Sequence, residues 1–180
     1  MQILVLDCCS LVHAKAMNDI SITPIYLIES LSRASIKLYT TPKVYGELSA
    51  SSLSTILTNW EREGLLSTEA AKRQEVRQIT NHLRNNDVEP GNNDKELIAL
   101  TKRLQGSLLT HDTAAAQLGR RLKLDVLDLV DLAWHCMQRH IIDIEQLDEA
   151  WGDLSGYPWP WPNYPWSGSV RQTLQTRGLL

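Results

Sequence analysis

The chain has 180 residues, 43% of them hydrophobic and 22% charged, a make-up that suits one well-buried globular domain and is marginal for two. A net charge of −3 and a pI of about 5.9 exclude the broad positive field that gathers nucleic acid without specificity, so a polyanionic substrate needs local basic clusters or bound cations. Three cysteines, two of them adjacent, make no disulfide framework and suit a reducing compartment.

Residues 2–6, QILVL, form a short apolar run rich in branched side chains. Its length predicts a buried strand, which Asp7 ends. The run is too short for a signal peptide or a membrane span, and the expectation is a soluble, cytoplasmic protein. A helix is expected from about Ser10 to Met17. Thr23-Pro24 opens another, with Pro in its first turn and apolar Ile25, Leu27, Ile28 and Leu31. IKLYT, 36–40, reads as a second strand, and Thr41-Pro42 starts a helix carrying Val44, Tyr45, Glu47 and Leu48.

Residues 52–86 read as helices with polar faces. Ser67 or Thr68 suits a cap there, with Glu69 in the first turn favoured by the helix dipole. EPGNN, 89–93, predicts a loop, after which Asp94 caps a helix with the stripe Leu97, Ile98, Leu100, Thr101 and Leu104. SLLT, 107–110, is a third strand and TAAAQLGRRL a helix after it. DVLDL, 125–129, is a fourth strand-like run, followed by helices over about 129–140 and 144–151.

Strands alternating with helices predict an α/β fold, a three-layer α/β/α sandwich around a short parallel sheet. Residues 1–150 are expected to form this domain, and 151–180 a C-terminal tail rich in Trp and Pro. YPWPWPNYPW, 157–166, alternates Pro and is expected to be extended, close to polyproline II. Three roles are open to that tail: packing on its own domain, docking a partner chain, or stacking the bases of single-stranded RNA.

Ligands of a parallel sheet bind outside the carboxyl ends of its strands. Four carboxylates are placed to reach such a crevice. Asp7 ends the first strand, Glu47 lies on the helix after the second, Asp94 opens a helix after a loop, and Asp112 follows the third strand. Each also has a purely structural reading: Asp94 and Asp112 as caps, Glu47 as a solvated helix residue. Asp7 is the hardest to explain so, because an acid after a buried strand is costly without a partner. Brought together, four carboxylates repel one another, and a hard divalent cation such as Mg²⁺ or Mn²⁺ removes that penalty. Such an ion polarises a phosphoryl oxygen and makes hydroxide available near neutral pH, which is what phosphodiester cleavage needs.

The ordered motifs ILVLDCCSL, TPKVYGEL, NNDKELIAL and SLLTHDTAAAQLGRRLKLDVL resemble those of PIN-domain ribonucleases. The match covers about residues 2–140, and the short toxins of toxin–antitoxin pairs are the members it most resembles. The resemblance implies a metal-dependent endoribonuclease with Asp7, Glu47, Asp94 and Asp112 as its catalytic acids. Asp7, Asp94 and Asp112 are the implied metal ligands, with Glu47 and Asp112 acting partly through water. It also implies RNA as substrate, an antitoxin that plugs the crevice, and a homodimer. Members of the family usually carry Ser or Thr directly after the first acid. Here Cys8 and Cys9 stand there and Ser10 comes one step late. A thiol is a poor partner for Mg²⁺, so the competing reading is a PIN-like RNA- or protein-binding module that has lost efficient cleavage.

Other chemistries fit less well. A haloacid-dehalogenase-type phosphotransferase needs a second Asp where Cys9 stands, and no Gly-rich phosphate loop follows any strand. Cys8 or Cys9 as a nucleophile beside His13 competes with the reading of both as inert structural thiols. His111 is a candidate phosphate contact or a solvent-facing loop residue. His135 and His140 have no ligand partners nearby in sequence. Basic residues cluster at Lys72-Arg73-Arg77, Lys102-Arg103 and Arg120-Arg121-Lys123. Arg120 and Arg121, after the Asp112 helix, are the candidates to guide a phosphate backbone, with binding that weakens as salt rises.

Overall fold

Four apolar runs and one short polar segment pair into a single parallel sheet. The computed structural model describes residues 2–19, 26–49, 53–83, 89–155 and 169–180. Its strands are β1 (Ile3–Leu6), β2 (Lys37–Thr40), β3 (Leu66–Thr68), β4 (Ser107–Leu109) and β5 (Asp125–Leu127), in the spatial order β3-β2-β1-β4-β5. Leu4 pairs with Leu38 on one side and Ser107 on the other, so β1 is central, and Leu4 and Val5 are fully buried. The expected α/β fold with a parallel sheet is what forms.

Ten helices accompany the strands among the described residues. They are α1 (Cys8–Asp19), α2 (Leu27–Arg33), α3 (Pro42–Ser49), α4 (Ser54–Arg62), α5 (Arg73–Thr80), α6 (Asn92–Leu104), α7 (Thr113–Arg121), α8 (Leu129–Gln138), α9 (Ile144–Ser155) and α10 (Val170–Thr176). From β1 the chain steps outward through β2 to β3, then returns past β1 to β4 and β5. Right-handed crossovers in opposite directions put their helices on opposite faces. Accordingly α6 lies over β1 and β4 with α5 and α7 beside it, while α1 touches α2, α3 and α9 in the other layer. No helix among the described residues is long and apolar enough to cross a membrane.

Three local expectations are corrected. Residues 66–68 belong to β3, inside the stretch read as helical. Only three residues long, LST shows no period, and it is held by its pairing with β2, Leu38 to Leu66 and Thr40 to Thr68. Ser67 and Thr68 therefore cap nothing. Lys72 is the N-cap of α5, and its N–H donates to Glu75 Oε2 at 2.7 Å. Asp94 is not the N-cap of its helix: α6 begins at Asn92, with Gly91 as N-cap and Asp94 in the first turn. The opening of the Thr23-Pro24 helix and the Trp/Pro stretch 157–166 lie outside the described residues. The boundary drawn at 150/151 falls within α9, where Trp151 is fully buried, and α10 packs against α8 and α9.

Candidate active site

The topology has one switch point. β1 leads to β2 on one side, β4 leads to β5 on the other, and the crevice between β1 and β4 opens at their carboxyl ends. Asp7 and Asp112 flank it. Buried polar side chains gather at the same edge: Asp7, Ser10, Thr40, Thr41 and Thr110.

Asp7 follows β1 and occupies the N-cap position of α1. Its Oδ1 accepts from the Ser10 N–H at 2.6 Å and from the Ser10 hydroxyl. Its Oδ2 accepts from the His111 N–H at 3.2 Å. The hydroxyl that arrives one step late in sequence thus reaches Asp7 after all, because position 10 is the third residue of the helix and position 8 the first. Asp112 is the N-cap of α7, its Oδ1 accepting from the Ala115 N–H at 2.6 Å, while its own N–H donates to Thr110 Oγ1 at 3.1 Å. The capping role expected for Asp112 is met, and the side chain stays exposed at the crevice.

Asp94 sits in the first turn of α6, one turn past the cap, and accepts from the Gly91 N–H at 3.0 Å. Burial, then the charges of Asp112 and Asp7 and finally Glu47, push its pKa up to about 6, against the opposing Gly91 bond. Glu47, exposed on α3, accepts from the Asn93 side chain, which ties α3 to the start of α6. Glu96, two residues beyond Asp94 on the same helix, is buried and pairs with Lys43 at 2.8 Å. Asp7, Glu47 and Asp112 thus all lie within electrostatic reach of Asp94.

The two thiols lie in the same field. Burial, then Asp7, Glu47 and Asp94, raise Cys8 to about 11; burial, then Asp7, Cys8, Asp94 and Asp112, raise Cys9 to about 12. Thiols this reluctant to ionise are poor nucleophiles, and the nucleophilic reading of either cysteine is withdrawn.

Two histidines, His13 and His111, pack against each other. The His111 ring meets the fully buried His13 ring edge-to-face at 5.2 Å. Burial and then His111 push His13 down to about 2. Burial also lowers His111, opposed by Asp7 and Asp128. The contribution of His111 to Asp7 is thus its backbone N–H, with the ring packed on His13. Arg120 and Arg121 are not brought to the acids. They occupy the last turn of α7, about 12 Å along the axis from the cap at Asp112, and Arg121 donates to the His82 carbonyl at 3.4 Å.

Several residues of this edge went unread in the sequence. Asp128 follows β5 and is the N-cap of α8, accepting from the Asp131 N–H at 2.9 Å. Arg177 clasps it with two bonds, Nη2 to Oδ2 at 2.8 Å and Nη1 to Oδ1 at 3.1 Å, and reaches Asp131 at 3.3 Å. Burial opposes the ionisation of Asp128, but Arg177 and the N–H groups of Asp131 and Val130 outweigh it and hold the carboxyl below its usual range. The D-x-x-D spacing ahead of an apolar run was the available signal for this cap. Arg177 had none, being 49 residues away.

Among the described residues, no three His, Cys, Asp or Glu side chains converge closely enough to enclose a metal ion. Mg²⁺ characteristically keeps several waters and binds proteins through one or two carboxylates, so the donor set fits a hydrated hard cation rather than a caged one.

No family model matches the chain, and no curated protein matches its sequence. Among solved structures, it is similar to a PilT N-terminus domain protein from the hyperthermophilic archaeon Sulfolobus solfataricus P2, at 13% identity and a TM-score of 0.41, over 70% of this chain and 86% of that one.

Proposed function

We propose that the chain is a metal-dependent endoribonuclease that hydrolyses RNA phosphodiesters. One observation carries the reading: acids from four separate segments share a field at the switch point of a parallel sheet, and Asp94 is pushed up to about 6 by burial together with Asp112, Asp7 and Glu47. Oxygen-only donors of that charge favour Mg²⁺ or Mn²⁺. Asp7 and Asp94 are the residues that would hold the ion directly, with Asp112 and Glu47 reaching it through its waters. Such a cation supplies Lewis acidity toward a phosphoryl oxygen and lowers the pKa of water.

The remaining work falls to the chain itself. Ser10 and the His111 N–H fix the orientation of Asp7. The Gly91 N–H does the same for Asp94, and Asn93 for Glu47. Lys43 neutralises Glu96 and so leaves Asp94 as the acid of α6 that faces the crevice. The four motifs resemble those of PIN-domain toxins, so the proposal extends to an antitoxin covering the acidic crevice and to a homodimer.

A second reading has its own support. Cys8 and Cys9 stand where a hydroxyl is usual, which suits a PIN-like binding module without efficient cleavage. Purified protein, a mixed RNA pool and added Mg²⁺ or Mn²⁺ separate the two. Cleavage by the wild type that falls by roughly a hundredfold or more in Asp7→Asn and Asp94→Asn supports the nuclease. RNA decay that is equal in all three proteins overturns it.

A further inference from the structure

RNA is a polyanion, and the proposed crevice is lined with carboxylates. A phosphate backbone approaches such an edge only where positive side chains offset the repulsion, or where cations are bound. The basic residues at this edge are therefore informative, and they differ from those that the sequence alone suggested. Arg120 and Arg121 lie at the far end of α7, away from the acids.

Among the described residues, Lys43 and Arg177 stand at the carboxyl edge, one on each side of the acids. Lys43 is in the first turn of α3, directly after β2. It precedes Glu47 by one helical turn and so shares its face. Its Nζ pairs with Glu96 at 2.8 Å, two residues beyond Asp94, yet half of its side chain is exposed (52%). Arg177 reaches the same edge from α10 by clasping Asp128, directly after β5. A third of its side chain is exposed (36%). The neighbouring strand ends are tied together, since the Thr110 N–H donates to the Leu127 carbonyl at 3.1 Å.

The strand order sets the spacing. β2 and β5 are separated by β1 and β4, the two strands that carry Asp7 and Asp112. Three strand intervals amount to about 14 Å at ~4.8 Å each. That span suits a short extended single strand with one phosphate at each cation and another over the acids between them. Both cations are anchored by a buried or half-buried acid, which keeps long side chains in place before any ligand arrives.

We infer that Lys43 and Arg177 are the phosphate-binding residues of this protein, gripping single-stranded RNA on either side of the acidic crevice so that the strand runs across the sheet edge from β2 to β5. The inference rests on the nuclease reading of the crevice, but it concerns binding and is tested without cleavage. The probe is a short 2′-O-methyl oligoribonucleotide of mixed sequence, checked by gel electrophoresis to stay intact through each titration. Its dissociation constant is measured against salt concentration in Mg²⁺, for the wild type, Lys43→Gln, Arg177→Gln, their double variant, and a control with Arg120→Gln and Arg121→Gln.

Each single variant is expected to weaken binding several-fold, and to flatten the slope of log affinity against log salt by about 0.7, the value of one single-strand phosphate contact. The double variant should flatten it by about twice that, while the Arg120/Arg121 control keeps the wild-type slope. Arg177→Lys and Lys43→Arg, which keep the charge, should restore the slope; this separates a phosphate contact from loss of the α10 clasp, as does thermal unfolding of each variant. An unchanged slope in folded Lys43→Gln and Arg177→Gln overturns the inference and leaves the nuclease reading standing if the wild type still cleaves unmodified RNA. A slope that falls in the Arg120/Arg121 control instead also overturns it. Absence of salt-dependent binding by the wild type overturns the inference and the nuclease reading together.

Discussion

Asp94 is the residue where the energetics of the crevice can be read most directly. An unfolded aspartate releases its proton near 3.8, whereas folded Asp94 holds it to about 6. In the metal-free protein the folded state therefore binds more protons between those values. Its stability is greatest below the lower one and falls as pH rises through the window, by about 1–3 kcal/mol. Asp94→Asn removes the charge and keeps an oxygen for the Gly91 N–H. It should raise Tm at pH 7–8, with the gain vanishing below about pH 4, as thermal unfolding across pH will register. Mg²⁺ or Mn²⁺ at pH 7.5 should raise the Tm of the wild type and that of Asp94→Asn far less, because only a ligand that binds the folded state stabilises it. An equal response would remove Asp94 from the ion's ligands. Asp7, Asp94 and Asp112 were legible in the sequence because strand ends and helix starts are local signals. Asp128 was not, since DVLDL reads as one run and hides the cap within it.

Elements are set by how closely they pack as well as by their patterns. Gly106 leads into β4 against β1, and a Cβ there would stand 2.8 Å from Ile3 Cγ2 and 3.0 Å from the Ile3 carbonyl oxygen. The carbonyl belongs to the ladder and has little room to move. Gly106→Ala should cost about 1–3 kcal/mol of stability, measurable by urea unfolding. A neutral result would mean that the β1–β4 contact is slack, and with it the spacing of Asp7 and Asp112. The other four strands were legible because their apolar runs end at an acid or a polar residue. β3 was not legible: its three residues carry no period, and only β2 makes them a strand. The start of α6 was misread by three residues because Gly91, as N-cap, uses backbone conformation rather than a side chain.

At the scale of the molecule, the C-terminal helix closes the layer that contains α8 and α9. Val170 and Leu174 are fully buried, and Arg177 clasps the cap of α8. Leu174→Ala should destabilise the whole chain by about 2–5 kcal/mol, seen as a single cooperative shift in urea unfolding. Separate unfolding of the last residues, with the rest unchanged, would instead mean that α10 is an independent appendage. Ending the chain at residue 168 should lower Tm further, since it also exposes the faces of α8 and α9 that α10 covers.

By itself the sequence determined the fold class and which carboxylates stand at the junctions of its strands and helices. Both follow from short-range chemistry: apolar runs of strand length, helices between them, and carboxylates at the junctions. Only the tertiary structure decided which charges share a crevice. It committed Glu96 to Lys43 and Asp128 to Arg177, turned the His111 ring against His13, and left Arg120 and Arg121 at the far end of their helix. These outcomes depend on strand order and on crossover hand. They couple residues dozens of positions apart, and no local pattern along the chain encodes them.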